Sequence, residues 1–303
     1  MKVAVLGAGG VGGYFGARLS EAGQAVTLLA RGAHKAAIER QGLQVRSEAG
    51  DVLAERLTVS DDIAAVAEAD IVLVCVKLWD TDSLASAMAP FLKPDALVLS
   101  LQNGVEAEDI LESHLGGDPV AGAVTYIFSQ IAEPGVIRHI GSLARIVVGV
   151  RHAGQEPALA RFVFACHHAG IDLTLSPDID AEIWRKFVFL TAVAGTTCFY
   201  RSAIGEIRED PDRRALFADL VAEAAAVGRA RGVTLAESLE ESALSFLDEL
   251  APEMKSSMLL DLERGNRLEL EWRTGAVRRL GEEAGVETPR SDEVYEGLKS
   301  HAD

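Results

Sequence analysis

The stretch VAVLGAGGVGGYFG, residues 3–16, decides the fold of this chain. Its first four residues are β-branched or aliphatic and predict a short strand. Glycines then stand at Gly7, Gly9 and Gly12 in the spacing G-x-G-x-x-G, and residues 14–22 have a helical pattern. A strand, a tight turn and a helix in succession predict the first βα unit of a Rossmann-like, doubly wound and mostly parallel sheet.

Each glycine of this loop has a physical role. Gly7 lets the chain turn sharply, Gly9 removes a Cβ that would keep a pyrophosphate away, and Gly12 lets the helix pack close to the strand. The free N–H groups of the first helical turn then face the phosphates of a dinucleotide. A glycine turn without a ligand is the alternative, and the position between strand and helix argues against it. The predicted cofactor-binding loop is Gly7, Ala8, Gly9, Gly10, Val11 and Gly12.

The residue that follows the second predicted strand distinguishes NAD from NADP. Residues 25–29 are apolar, and Arg31 follows about 20 residues beyond the glycine loop, where an NAD-binding unit usually carries Asp or Glu. A guanidinium at this place pairs with a 2′-phosphate and stacks on adenine. Arg31 therefore favours NADP, although an exposed arginine after a strand is the simpler alternative.

Composition limits the classes of partner. The 303 residues are 49% hydrophobic and carry a formal net charge of −17, which disfavours nucleic acid and anionic membranes. Cys75, Cys166 and Cys198 lack metal-ligand spacing and suggest a reducing compartment. The first strand begins directly after Met1-Lys2, and no apolar run reaches about 18 residues. We therefore expect a cytoplasmic protein without a signal peptide, a membrane span or a metal.

Two further polar residues follow buried strands. Residues 71–76 and 96–101 are continuous apolar runs, as expected for parallel strands covered on both faces, and Lys77 and Asn103 come after them. Ligands of open parallel sheets bind at the carboxyl ends of strands. Lys77 and Asn103 are therefore expected beside Arg31 and the glycine loop, although each alone could be an ordinary loop residue.

The later part of the first domain shows a different pattern. Residues 136–140 and 144–150, separated by Gly141-Ser142, predict a β-hairpin. A helix over residues 156–168 and a strand over 172–175 then complete the domain. The boundary is placed at Pro177, because proline and its neighbours disfavour continued regular structure, which gives domains at 1–177 and 178–303.

The second domain is predicted to be entirely helical. Residues 183–195 are apolar almost all round and predict a buried helix that contains Lys186. Desolvation lowers a lysine pKa toward the operating range of a general acid, although a lysine can also extend to water.

Ser257 and Glu269 are a second candidate pair. In one unbroken helix they would lie roughly 18 Å apart, and a break at Gly265-Asn266 would let both reach one cleft. A capping serine and a solvated glutamate beside Glu271 are the alternatives.

Taken together these motifs resemble the ketopantoate reductase family. The matching residues span nearly the whole chain: Gly7 to Gly12, Arg31, Lys77, Gln102-Asn103-Gly104, Trp184-Arg185-Lys186, Ser256-Ser257-Met258, Asp261, Glu269 and Thr288-Pro289. The resemblance implies NADPH-dependent reduction of 2-dehydropantoate to pantoate, on the route to pantothenate and coenzyme A.

The resemblance also implies a role for each site residue. Lys186 would donate the proton, Asn103 would contact cofactor and substrate, and Ser257 would hold the substrate. Glu269 would anchor the nicotinamide end of the cofactor or a substrate hydroxyl. Ile127, just past a predicted strand end, would offer its backbone to the cofactor.

The chain departs from the family at one helix. The reductases that it matches best carry asparagines four and eight residues after the lysine, and here those places are Leu190 and Ala194. A more apolar wall leaves open a reductase of a less polar 2-oxo acid. A non-catalytic NADP-binding sensor is a third hypothesis. The apolar surface of the helical domain would suffice for a homodimer.

Overall fold

The computed structural model describes residues 1–302, which form two compact units. The first is an α/β unit that ends at Ile179, and the second is helical and begins at Asp180. The α/β class with a helical second part is confirmed. Ile179 lies with the sheet because its side chain covers Gly122, where an added Cβ would be 2.6 Å from Ile179 Cγ2. The division of the chain therefore falls two residues after the predicted boundary.

The first unit is organised around one mixed sheet. Within the described residues its strands are β1 (Lys2–Leu6), β2 (Ala25–Leu29), β3 (Leu43–Arg46), β4 (Val52–Ala54), β5 (Thr58–Ser60), β6 (Ile71–Val74), β7 (Leu97–Ser100), β8 (Val120–Glu133), β9 (Val136–Gly149) and β10 (Asp172–Leu175). The order is β4-β3-β9-β8-β7-β6-β1-β2-β5, with β10 paired to β9. Each successive pair from β8 through β7, β6, β1 and β2 to β5 is parallel, and this is the Rossmann-like part.

The central strands are buried on both faces. All four residues of β6 and all four of β7 are buried, as the continuous apolar runs predict. Helices cover the sheet: α1 (Gly10–Glu21), α2 (Gly32–Gln41), α3 (Thr81–Met88), α4 (Ala107–Leu115) and α5 (Glu156–His168). Residues 63–68 form a 3-10 helix whose start is capped by the Asp62 side chain.

The predicted hairpin over residues 136–150 is wrong. Residues Val136–Gly149 form the single strand β9, which runs antiparallel to β8. The reversal of direction lies at Pro134-Gly135, where Gly135 has a φ of +82°. Gly141 has a positive φ within β9, and the pairing register shifts there, from Ile127 opposite Ala144 to Ser129 opposite His139. The sequence signal at Gly141-Ser142 therefore marks an irregularity within one strand, not a turn between two.

The second unit consists of helices around α6. They are α6 (Ile179–Tyr200), α7 (Ile204–Glu209), α8 (Pro211–Ala230), α9 (Leu239–Glu249), α10 (Ser257–Glu263), α11 (Thr274–Ala284) and α12 (Pro289–Leu298). Helix α11 does not extend back to Glu269, because residues 270–272 form a 3-10 turn and Arg273 leaves helical geometry. Helix α10 ends before Gly265, whose φ is +68°, so the predicted break at Gly265-Asn266 is confirmed.

Helix α6 is the buried centre of the second unit, as its apolar sequence predicts. Phe187, Val188 and Ala192 are at most 1% exposed. Close approach of α8 requires Gly228, where an added Cβ would lie 2.8 Å from the Trp184 ring. Among residues 1–302, no helix is long and apolar enough to span a membrane.

Candidate active site

The glycine loop has the geometry that its spacing predicts. Gly7 has a φ of +108°, and a Cβ there would lie 2.9 Å from the Cys75 carbonyl carbon. A Cβ on Gly12 would lie 2.1 Å from the Gly7 oxygen. Both positions therefore require glycine for packing. Cys75 was expected within a strand; it directly follows β6 and lies under the loop, where burial raises the pKa of its thiol.

Gly9 differs from the other two glycines because it faces open space. It is the N-cap of α1, and a Cβ added to it would meet nothing within 4 Å. No side chain caps the helix, and its first turn contains no acidic residue. The N–H groups at this helix start have no intrahelical acceptor and carry partial positive charge. The loop thus fits a phosphate group next to Gly9. Helix α1 begins at Gly10, four residues before the predicted start.

A residue that the sequence did not single out also lies at this loop. Strand β8 passes so close to α1 that a Cβ on Gly10 would lie 2.3 Å from the Ser129 carbonyl oxygen. The Ser129 hydroxyl is buried and has no hydrogen-bond partner within the described chain. No local motif marks Ser129, because its closeness to the loop depends on the length and path of β8.

Arg31 lies beside the glycine loop through the end of β2. The Ala8 N–H donates to the Leu29 carbonyl at 3.1 Å, which ties the loop to the strand that leads to Arg31. Arg31 is exposed, has extended backbone and is the N-cap of α2. Asp61 bonds to Lys35 at 2.9 Å, and the charge of Arg31 also contributes to the lowered pKa of this carboxyl.

A glutamine connects the loops that carry Lys77 and Asn103. Gln102 Nε2 donates to the Val76 carbonyl at 2.8 Å and to Thr81 Oγ1 at 2.7 Å. These bonds join the segment after β7 to the segment after β6, so that Lys77 and Asn103 lie on neighbouring connections. Lys77 is exposed, and its Nζ lies 5.6 Å from the centre of the Trp79 ring.

Ile127 does not lie where the sequence predicted. It is inside the 14-residue strand β8 instead of just past a strand end. Strand β8 pairs with β7 only at Val120 and Ala121, and it then continues beyond the carboxyl end of β7 as a partner of β9. The antiparallel pairing with β9 extends the strand, which the local sequence could not show.

The candidates of the first unit share one edge of the sheet. The order β7-β6-β1-β2 is contiguous and parallel, and Asn103, Lys77, the glycine loop and Arg31 follow these strands in that order. Neighbouring strands are about 4.8 Å apart, so the four connections form a continuous row.

Lys186 occupies the eighth position of α6 in the second unit. The side chain is half-buried, and burial, aided by the positive charge of Arg273, lowers its pKa to about 7; Glu269 acts in the opposite direction. Its neighbour Arg185 is exposed and bonds to Glu182. The two adjacent basic residues therefore have different environments, and only Lys186 has the shifted pKa of a general acid near neutral pH.

Arg273 is a charged residue that the sequence analysis missed. It is only 3% exposed, and burial lowers the pKa of its guanidinium while Glu269 raises it. Glu269 is half-buried and precedes the 3-10 turn, whereas Glu271 is exposed and accepts from Tyr295 and Arg279. Lys186, Glu269 and Arg273 thus form one charged cluster in the second unit. Its members come from two elements, so no sequence spacing reveals it.

Ser257 is the first residue of α10, and its neighbour caps the helix. The Ser256 hydroxyl accepts from the Leu259 N–H at 3.0 Å and lies 2.7 Å from Thr197 Oγ1 on α6. The alternative that Ser257 is the capping serine is therefore wrong. Ser257 is exposed.

The second unit also contains a groove of about 640 Å³ that is separate from the candidate site residues. It is lined by residues of α11, α12 and the segment between them, including Glu271, Arg278 and Tyr295. None of the predicted site residues lines it. Among residues 1–302, no cluster of three His, Cys, Asp or Glu residues could hold a metal ion.

Comparison with known proteins finds similarity along nearly the whole chain. The model of the family "Ketopantoate reductase PanE/ApbA" matches residues 3–152, and the model of its C-terminal part matches residues 178–302. A 2-dehydropantoate 2-reductase of Halobacterium salinarum is 31% identical over 290 residues, covering 95% of each chain. An uncharacterized oxidoreductase of Bacillus subtilis, YkpB, is 28% identical over 301 residues, covering 99% of each.

A solved structure is also similar over nearly its full length. The PanE/ApbA family ketopantoate reductase of Ralstonia eutropha JMP134 is 35% identical, with a TM-score of 0.91 over 100% of this chain and 99% of that one. These matches define an oxidoreductase that acts on a carbonyl–alcohol pair with a nicotinamide cofactor. The chain belongs to the ketopantoate reductase family.

Proposed function

We propose that this protein reduces 2-dehydropantoate to pantoate with NADPH, and that Lys186 supplies the proton. The observation that carries this proposal is the pKa of Lys186, which burial lowers to about 7 in a helix whose next residues, Phe187 to Leu190, are apolar. A group with a pKa near the operating pH is efficient in both donating and regaining a proton.

The chain's residues would assist the reaction electrostatically. The cofactor, when bound, supplies a hydride to the carbonyl carbon, and negative charge then grows on the carbonyl oxygen. An ammonium held at that oxygen stabilises the charge and then transfers its proton to it. Glu269 keeps part of Lys186 protonated, because its carboxylate acts against the effects of burial and Arg273. Asn103 would orient the substrate and the nicotinamide ribose, and Ser257 would hold the substrate.

The first unit offers a fitting place for the dinucleotide. The open space at Gly9, the uncapped start of α1 and the buried, unpartnered Ser129 hydroxyl suit a pyrophosphate. Arg31 beside this loop would pair with the 2′-phosphate of NADPH. Lys77 would contact phosphate or ribose, and the backbone of Ile127 would contact the cofactor.

The identity of the 2-oxo acid depends on the wall formed by α6. Leu190 is half-buried and Ala194 is buried, and neither side chain donates a hydrogen bond. This favours a second candidate, a reductase of a less polar 2-oxo acid. The two candidates share the cofactor and the role of Lys186.

A substrate panel tests the proposal. Oxidation of NADPH and of NADH is followed in parallel with ketopantoate and with 2-oxoisovalerate, which lacks the hydroxyl. Faster turnover of ketopantoate supports the first candidate, and faster turnover of 2-oxoisovalerate supports the second. Absence of turnover with every branched 2-oxo acid would contradict both and leave the hypothesis of a non-catalytic NADP-binding protein.

A further inference from the structure

We propose that Arg273 binds the carboxylate of the 2-oxo acid substrate through its buried guanidinium, at the end of α11 that adjoins the Lys186–Glu269 cluster. This inference rests on the proposed function for the class of ligand. The observation behind it is independent of that function, because it concerns buried nitrogens without hydrogen-bond partners inside the second unit.

The guanidinium of Arg273 is buried, and two of its three nitrogens have no hydrogen-bond partner within the described chain. The residue is 3% exposed, and its Nε and Nη1 are enclosed and have no partner within the described chain. Buried charges in proteins are normally paired, because leaving a desolvated charge unpaired is costly. A guanidinium binds a carboxylate through two parallel bonds along one edge, either Nε with Nη2 or Nη1 with Nη2, and each of these edges contains one of the unpartnered nitrogens. A buried guanidinium with an unpartnered nitrogen on each of these edges is therefore suited to such an anion.

The charges around Arg273 also favour an anion. The charge of Arg273 lowers the pKa of Lys186, and the charge of Glu269 acts on both cations. With Lys186 protonated, two positive groups face one carboxylate, so a substrate monoanion brings the cluster to neutrality. Arg273 is moreover the N-cap of α11, whose first turn contains no acidic residue, and a helix N-terminus attracts negative charge.

The packing of α6 shows why an arginine is suited to this place. Leu190 and Ala194 offer no donors to a carboxylate, so α6 beyond Lys186 cannot bind it through these side chains. The start of α11 lies against the same helix, since a Cβ added to Gly195 would be 3.4 Å from Thr274 Cγ2. Thr274 directly follows Arg273. The anion-binding donors are thus placed next to the apolar wall.

Binding of the carboxylate would also affect the proton donor. An anion on Arg273 offsets the repulsion that this arginine exerts on Lys186 and raises the lysine pKa. Substrate binding would then promote protonation of Lys186, the proposed proton donor. Uptake of a proton on binding follows as a measurable consequence.

The first test measures binding of oxamate, an unreactive analogue of a 2-oxo acid, by calorimetry on the full-length protein saturated with NADPH. Arg273→Met is expected to weaken oxamate roughly 10- to 100-fold, the range for a hydrogen bond to a charged group. The exposed Arg231, which pairs with Glu283, gives the matched control Arg231→Met, which should bind as the unaltered protein does. Equal affinity of Arg273→Met and the unaltered protein would overturn the proposal.

The second test separates carboxylate binding from a structural role. Reduction of a 2-oxo acid and of its uncharged methyl ester is compared in Arg273→Met and Arg273→Lys. We expect kcat/KM to fall for the acid and to stay unchanged for the ester. The fall should be smaller in Arg273→Lys than in Arg273→Met, because lysine keeps the positive charge but lacks the planar guanidinium. Equal losses on acid and ester in both variants would overturn the inference. If the unaltered protein binds oxamate through Arg273 but reduces no 2-oxo acid, the proposed function fails and the anion site stands.

Discussion

Lys186 and Arg185 show how the same sequence neighbourhood produces two different charged groups. Arg185 is solvated and paired with Glu182, whereas Lys186 is half-buried and has a pKa lowered to about 7. The difference arises because one helix face points to solvent and the other to the charged cluster. The sequence predicted a perturbed lysine here, because an ammonium within an apolar helix must lose part of its hydration.

Replacement of Lys186 tests its role as proton donor. Lys186→Ala is expected to lower kcat by about 100-fold or more, since general acid catalysis contributes roughly 10²–10⁴-fold. Binding of NADPH, followed by fluorescence titration, should be unchanged. Retention of the original kcat would remove Lys186 from the mechanism.

The pH dependence of reduction follows from the same pKa. The protonated lysine is the active form, so kcat/KM should be constant below about pH 7 and fall about tenfold per unit above it. Measurement of initial rates between pH 5.5 and 9 at saturating cofactor gives the profile. A rate that rises with pH through neutrality would have the wrong sign for a proton donor.

Arg31 governs the choice of dinucleotide at the residue scale. Arg31→Ala is expected to weaken NADPH by about 10-fold or more, through loss of a charge-assisted contact, and to leave NADH nearly unchanged. The ratio of the two dissociation constants is the readout, and Lys77→Ala serves as the comparison. Equal weakening of both nucleotides by Arg31→Ala would contradict the 2′-phosphate role.

At the scale of the element, different glycines of the strand–loop–helix unit serve packing and ligand binding. Gly12 is in contact with the Gly7 carbonyl oxygen and Gly9 faces open space, although both belong to one motif. The motif is therefore a composite in which some glycines support the fold and another leaves room for a ligand.

Two alanine variants distinguish these roles. Gly12→Ala is expected to destabilise the protein by about 1–3 kcal/mol, because the added Cβ overlaps backbone. Gly9→Ala should lower the free energy of unfolding by less than about 1 kcal/mol, since the Gly9 backbone is extended and its surroundings are open. The same substitution should nevertheless weaken NADPH binding strongly. Thermal unfolding and nucleotide titration provide the two readouts. Unchanged NADPH affinity in Gly9→Ala would place the pyrophosphate elsewhere.

At the scale of the whole molecule, the net charge of −17 opposes an anionic cofactor. Binding therefore depends on local groups: the helix start at Gly9 and the basic side chains at the sheet edge. The overall composition predicts solubility and the absence of nucleic-acid binding, but the local field decides what enters the site.

Cofactor binding should stabilise the folded protein. At a hundredfold excess over its Kd, NADPH is expected to add about 2.7 kcal/mol, which raises Tm by roughly 4 °C. Differential scanning calorimetry with NADPH, NADH and no nucleotide gives the comparison, and Gly9→Ala is the matched control in which the shift should be much reduced. A Tm that is independent of both nucleotides up to millimolar concentration would contradict the dinucleotide site.

The sequence by itself determined the glycine loop, the parallel strands, the candidate Arg31 and the buried helix with Lys186. These features are encoded locally, in the order of apolar residues, glycines and charges along a few turns or strands. Tertiary structure alone decided that β9 is one strand, that Ser129 lies against Gly10 and that Arg273 is buried beside Glu269. Each of these depends on contact between segments distant in sequence, which are fixed only when their elements pack.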